Sequence, residues 1–261
     1  MPITIKSARE IELMEEAGRI LESVHKELEK AVRPGMTTLE IDRLGEEIIR
    51  SFGCVPSFLN YNGYPASICV SVNDEVVHGI PSSKRILKEG DIVSLDAGVI
   101  YKGYHSDAAR THAVGEISKE AADLIKVTRE AFFEGIKYAK EGNHLFDISA
   151  AIGKYAGERG YGVVRDLCGH GIGTSLHESP EIPNYEMNRK GILLKAGMTL
   201  AIEPMINIGG WEVDWLADDW TVVTRDHSLS AHYENTVLIT EDEPRLLTLT
   251  GNSLQNSLGE I

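Results

Sequence analysis

The stretch LDAGVIYKGYHSDAART, Leu95–Thr111, decides the fold, because it reads as two β-arms folded about Lys102 and Gly103 with an aspartate on each arm. Aspartate is depleted from strands, since it covers no apolar face and packs poorly on a pleat. A turn centred on Lys102–Gly103 pairs residues whose numbers sum to an odd value. Asp96 and Asp107 then point to the same face as diagonal neighbours. Two like charges meet there unless a cation lies between them.

Composition limits what surrounds this hairpin. The chain has 261 residues, 42% of them hydrophobic, enough for one large domain or two modest ones with a full core. A formal charge of −14 argues against nucleic acid as a direct partner, because counterion release needs clustered Lys and Arg. The opening MPITIKSAREIELMEE has no apolar core of signal-peptide length, and no later run is long enough to span a bilayer. The expectation is a cytoplasmic protein without a membrane partner. Cys54, Cys69 and Cys168 lack the paired spacing of a zinc or redox motif and read as reduced thiols.

Outward from the hairpin, the pattern is helix, helix, strands, and then the same again. Ser7 with Glu10 forms a capping box before Ile11, Met14, Ala17, Leu21, Val24 and Leu28, which keep a helical period. Thr37 with Glu40 starts a second helix through Ile41, Leu44, Ile48 and Phe52, which Gly53 is placed to stop. Strands follow at 67–73, 90–100 and 104–115. The second half offers helices over 118–142 and 145–160 and strands over 197–206 and 231–240.

A constant offset of 107 relates the halves: Gly35, Ile41 and Gly53 fall on Gly142, Ile148 and Gly160, and ILKEGDIVSLDAG lies over LLKAGMTLAIEPM. Asp96 falls on Glu203. Two helix–helix–strand units also give chance matches at glycine and aliphatic positions. An internal duplication explains more, because it makes one domain, 1–261, of two pseudo-symmetric halves (about 7–113 and 117–250), each supplying an acid to a shared centre.

Other residues qualify for that centre. GHGIGTSLHE carries His170 and His177, and AHYENTVLIT carries Glu234 in a segment otherwise built for a strand. Asp96, Asp107, His170, Glu203 and Glu234 make four hard oxygen ligands and one imidazole. That set suits two divalent ions bridged by carboxylates and does not suit a structural zinc. Singly, each residue reads as a solvated edge acid or an ordinary histidine; the conjunction carries the weight.

The segments VVHGIP, DIVSLDAGVIYKGYHSDAART, CGHGIGTSLHESPEIPNY, GMTLAIEPM and SLSAHYENTVLIT, in this order and spanning nearly the whole chain, resemble the signature segments of the type I methionine aminopeptidases in their compact bacterial form. The resemblance implies an α+β pita-bread (creatinase/aminopeptidase) fold, with a central antiparallel sheet covered by helices around a dinuclear metal site. By the family's motif, Asp96 chelates one ion, His170 and Glu203 the other, and Asp107 and Glu234 bridge the pair. Cobalt, manganese and ferrous iron all accept this ligand set. Such ions lower the pKa of a water held between them, as zinc brings its water to about 7. Glu203 is then the residue placed to take the proton, His177 to stabilise the oxyanion, and His78 to hydrogen-bond the peptide beyond the scissile bond.

The resemblance also implies the substrate: a peptide or nascent protein whose first residue is methionine and whose second is small. A thioether side chain needs an apolar slot lined by soft or aromatic groups. Tyr61, Tyr64, Cys69 and Trp220 are its candidates, with Phe58 and Leu176 nearby, and plain core packing is the other reading of this cluster. Asn62 and Leu176 stand where many relatives carry His and Phe, which alters the finer shape of the slot. The family suggests a monomer, with transient ribosome contact. Two other readings stay open at this point: a proline-specific peptidase of the same fold, and a binding protein that has kept the scaffold but lost catalysis.

Overall fold

Ser7 and Thr37 open the first two helices through the capping boxes expected of them. In the computed structural model, which describes residues 3–249, Glu10 Oε2 accepts from Ser7 N at 2.7 Å and Glu40 Oε2 accepts from Thr37 N at 2.7 Å. Helix α1 spans Ala8–Ala31 and buries Met14, Ala17, Leu21, Val24 and Leu28 along one stripe. Helix α2 spans Thr38–Ser51, and the chain turns away at Gly53, whose φ of +71° favours glycine. Helix α3, Lys119–Ile136, is shorter than its apolar period suggests, because the following residues are drawn away by Thr240: Lys140 bridges to it and Glu141 N donates to its carbonyl at 2.9 Å. Helix α4 covers Leu145–Gly157.

The hairpin lies in the register its turn predicts. Strand Ile92–Tyr101 runs antiparallel to Tyr104–Ala113 with Tyr101 opposite Tyr104, so Gly98 faces Asp107 and Asp96 faces Ala109. Strand Ile68–Val72 pairs on the other side of Ile92–Tyr101. Alternation divides the faces. Val93, Leu95, Ala97 and Val99 join a core with Leu21, Val24, Leu28, Ile41 and Ile49 of α1 and α2, which leaves Ser94, Asp96 and Gly98 for the opposite face.

The second half repeats this order. Gly169–Gly171 pairs with Thr199–Ile202, which pairs with Asn235–Leu238, all antiparallel. Phe132, Phe133 and Ile136 of α3 and Ile148 and Ile152 of α4 form a core with Leu200, Ile202 and Val237. The halves meet where Tyr104–Ala113 approaches Asn235–Leu238: Thr236 Oγ1 accepts from Asp107 N and donates to Asp107 O, both at 2.9 Å, and Glu234 N donates to Ala109 O at 3.0 Å.

Two segments expected as single strands are each broken. The 197–206 segment becomes Thr199–Ile202 and Met205–Asn207, and the 231–240 segment becomes Ser230–His232 and Asn235–Leu238. Pro204 has no N–H with which to continue the ladder. The breaks face each other, since Ile202 pairs with Asn235 and Met205 with His232. Glu203 and Glu234 therefore stand in the paired gap rather than on a strand, a placement that the even β-pattern of the sequence conceals.

Candidate metal centre

Five side chains converge at the seam between the halves. Asp107, His170 and Glu234 each offer a ligand atom, and these atoms lie within 4.8 Å of one another. His170 Nε2 is 3.8 Å from Asp107 Oδ2 and 3.6 Å from Glu203 Oε1. Asp96 is close enough to share a hydrogen bond with Asp107, as the hairpin register requires. Glycine makes the approach of His170 feasible: a Cβ on Gly169 would run into the Ala201 carbonyl and one on Gly171 into that of Ser179.

The electrostatics of this cluster call for a cation. Burial, reinforced by the neighbouring carboxylates, raises Asp107 and Glu234 well above the usual range. Burial also pushes Asp96 up to about 7 and Glu203 to about 8. Asp96 Oδ1, Asp107 Oδ1 and Glu234 Oε1 are buried without a hydrogen-bond partner. Buried carboxylates are stable when paired or coordinated, and among the described residues no Lys or Arg forms an ion pair with these, Arg110 donating to the Glu234 backbone carbonyl instead. His170 has the matching tautomer, because its Nδ1 lies 2.9 Å from the Gly171 carbonyl, which only accepts. The N–H is on Nδ1, and Nε2 is left bare toward the acids, as in a metal-ligating histidine. Burial drops its pKa to about 3, so the ring is neutral.

Above the acids is a cavity of about 160 Å³ whose lining includes every residue expected for the substrate: Phe58, Tyr61, Asn62, Tyr64, Cys69, His78, Leu176, His177 and Trp220, with all five candidate ligands below. Tyr64 OH donates to the Gly79 carbonyl at 2.9 Å, and the Tyr64 ring meets Trp220 edge-on at 5.1 Å. His177 stands at the rim, its Nδ1 2.7 Å from Tyr61 OH and its ring 4.2 Å from that of His170. His78 has a φ of +59°, a region that costs a side chain of this size conformational energy. Its ring is held at 6.3 Å from Trp220, and burial lowers its pKa to about 4.

Two residues that the sequence reading did not single out complete the surroundings. Arg110 stacks on Tyr233 at 4.5 Å and donates to the carbonyls of Ala109 and Glu234 and to Asn235 Oδ1 at 2.6 Å, which ties the halves together behind the acids. His232 places Nε2 3.6 Å from Glu203 Oε2. Its spacing of two from Glu234 is the one signal the sequence offered.

A model described as metallopeptidase family M24 matches residues 12–241. The chain belongs to this family, whose metallopeptidases use divalent metal, and its acid and imidazole set fits such an ion. Within the family its close relatives are bacterial methionine aminopeptidases: the enzyme of Clostridium acetobutylicum is 56% identical over 95% of this chain and 99% of its own, and that of Bacillus subtilis 50% identical over 94% and 99%. The solved methionine aminopeptidase of Thermotoga maritima superposes with a TM-score of 0.93 at 45% identity, covering 95% of this chain and 99% of that one. An Xaa-Pro dipeptidase of Bacillus anthracis shares the fold at a TM-score of 0.77 and 28% identity, but the match covers 95% of this chain and 63% of that longer one. The architecture is the pita-bread fold. Among the described residues, no helix is long and apolar enough to cross a membrane.

Proposed function

We propose that the chain removes the N-terminal methionine from peptides and nascent proteins whose second residue is small. The observation that carries this reading is the juxtaposition of the acid and histidine set with a single small cavity walled by aromatic rings and a thiol. At about 160 Å³ it lies below the roughly 300–1,000 Å³ of sites for drug-sized ligands, and suits one unbranched side chain.

Two divalent ions, drawn from cobalt, manganese and ferrous iron, would be held by Asp96, Asp107, His170, Glu203 and Glu234, with Asp107 and Glu234 shared; when bound they supply Lewis acidity and an acidified water. The remaining work falls to the chain's own groups. Glu203, partly exposed to the cavity, takes a proton on its carboxylate and returns it to the departing amine. His177 donates from the rim to the oxygen that gains charge, and its contact with Tyr61 OH fixes its ring plane. His78 is held by backbone and Trp220 where a peptide extending past the scissile bond would pass. Tyr61, Tyr64, Cys69 and Trp220 enclose the thioether, with Phe58, Asn62 and Leu176 shaping its sides. The protein acts as a cytoplasmic monomer that meets nascent chains through transient ribosome contact.

The test combines metal analysis with release of methionine from Met-Ala-Ser, using an X-Pro peptide as the control. Metal-dependent release from Met-Ala-Ser alone is the expected outcome. Preferential cleavage of the X-Pro peptide would replace this reading with that of a proline peptidase, and a metal-free, inactive protein would make it a binding module.

A further inference from the structure

His177, proposed to meet the oxyanion, and Leu176, on the wall of the methionine cavity, sit on a segment with no regular structure of its own, between strands Gly169–Gly171 and Glu178–Ile182. Such a segment holds a reacting group in place only if something fixes its backbone. His105 N donates to Gly173 O at 2.8 Å, Gly173 N donates to Ser175 O at 3.1 Å, and Ser175 N donates to Glu178 Oε1 at 3.2 Å. The last of these closes the turn across Leu176 and His177 and, unlike the others, depends on a side chain.

That carboxylate is itself held from a distant part of the chain. Lys6 Nζ lies 2.8 Å from Glu178 Oε2, both side chains being buried, and Thr4 Oγ1 donates to the same oxygen at 2.9 Å. Lys6 is anchored in turn, because its N donates to Gly197 O at 2.8 Å and its Nζ also donates to Thr4 Oγ1. The pair packs directly against the turn: a Cβ on Gly173 would come within 2.5 Å of Glu178 Oε1 and 2.8 Å of Lys6 Nζ. Charge-assisted hydrogen bonds are stronger than neutral ones, and shielding from water strengthens them further. A Glu178 carboxylate that swung away from Ser175 N would leave Lys6 buried and unpaired, which is costly. Neither Lys6 nor Glu178 lines the cavity.

We propose that Lys6 and Glu178 are positioning residues for the reaction: by keeping the Glu178 carboxylate against Ser175 N, their ion pair fixes the turn that sets His177 at the rim and Leu176 against the methionine side chain. Neither charge touches substrate, and both act through the turn. This inference rests on the reading of the chain as a methionine aminopeptidase with His177 as the oxyanion donor. Misplacing a reacting group by about 1 Å costs up to about a hundredfold, so loss of the pair should lower kcat by about 10–100-fold. The ceiling is the loss in His177→Ala, which removes the donor altogether.

The experiment uses the full chain loaded with manganese, and places Lys6→Met, alone and together with Glu178→Leu, in the parent and in the His177→Ala background. For each protein, kcat and KM for Met-Ala-Ser, bound metal, denaturant unfolding and amide hydrogen exchange at Ser175 are measured. In the parent background, Lys6→Met should lower kcat by about 10–100-fold with metal retained and exchange at Ser175 accelerated. In the His177→Ala background the same change should lower kcat by less than about threefold, because residues that act through one group are not additive. KM should rise equally in the two backgrounds, which both keep Leu176. Adding Glu178→Leu should recover stability without recovering kcat, since leucine cannot accept from Ser175 N. Equal loss of kcat in the two backgrounds, kcat regained along with stability, or unchanged exchange at Ser175 would overturn the proposal. If Lys6→Met fails to fold, the double variant, with apolar groups in place of both charges, carries the same comparison. A parent protein that leaves Met-Ala-Ser intact would refute the functional reading, while exchange at Ser175 still decides whether the pair holds the turn.

Discussion

Asp107 sits among Asp96, Glu203 and Glu234, and this crowding separates the roles of individual residues. A shared acid and a rim histidine should respond differently to removal. Asp107→Ala is expected to deplete bound metal, whereas His177→Ala should keep its metal and lose about a hundred- to a thousandfold in turnover, the loss found for single oxyanion donors. Metal content measured beside kcat separates them, and equal metal loss in both would contradict the assignment. The raised acids also predict a pH dependence. A carboxyl whose pKa is higher in the folded than in the unfolded state stabilises the fold below the unfolded value and loses that contribution as pH rises through the folded one. For Asp96 and Glu203, at about 7 and about 8, the losing window runs from the ordinary carboxylate range up to about pH 8. Metal binding must displace these protons. Affinity should rise from pH 6.5 to pH 8, with proton release detected by calorimetry in buffers of different ionisation enthalpy; a pH-independent affinity would show that the acids ionise without the ion.

At the scale of elements, strand Gly169–Gly171 is wedged between Glu178–Ile182 and Thr199–Ile202, and its glycines allow the wedge. Gly171→Ala alters no ligand, yet the new Cβ would press on the Ser179 backbone and displace His170. A fall in metal occupancy with all five ligands intact is the expected result, read by elemental analysis; full occupancy would mean that the strand gives way at no consequence. The N-terminal segment supports the neighbouring loop, since Lys6 Nζ meets Glu178 Oε2 at 2.8 Å with both side chains 5% exposed, and Glu178 also accepts from Ser175 N. Lys6→Met leaves that carboxylate without its cation and with only Thr4 Oγ1 and Ser175 N donating to it, and should cost up to about 3 kcal/mol by denaturant unfolding. Adding Glu178→Leu should restore much of this, and a double variant as unstable as the single one would refute the pairing argument.

For the whole molecule, helices α1 and α2 pack on the sheet that carries Asp96 and helices α3 and α4 on the strands beside Glu203; we propose an internal duplication as the origin of this arrangement, with Asp96, inside Ile92–Tyr101, and Glu203, in the gap after Thr199–Ile202, as the acids to compare by superposing the two parts. The seam gives the substrate a direction. If methionine enters the small cavity as proposed, the second residue lies beside the acids and His78, which line the same cavity. Excluding bulk by overlap is more effective than attracting a small group by contact. Comparing kcat/KM across a Met-Xaa-Ser series should therefore favour Gly, Ala and Ser over Leu and Lys. Equal rates for Ala and Leu would refute this pocket, and faster cleavage of Leu-Ala than of Met-Ala would remove the methionine preference.

The sequence by itself determined where the helices begin, the hairpin and which acids and histidine would gather in one place. Capping boxes, a period of 3.6 and a two-residue turn are local, so Ser7, Thr37 and Lys102–Gly103 set their elements without help from distant parts of the chain. Asp96 and Asp107 were legible as neighbours for the same reason: a hairpin register follows from its turn. Tertiary structure alone decided the rest. The break at Glu203–Pro204 opposite Tyr233–Glu234 depends on two strands switching sheets together, which no local pattern encodes. Arg110 reaches Glu234 and Asn235 across about 125 positions of chain, and α1 brings His25 against Ala108 across 83, contacts that no local pattern encodes. Long-range placement of this kind is set by packing the two cores against one seam, whereas the residues that form the seam's chemistry were written in the chain as acids where a strand has no use for them.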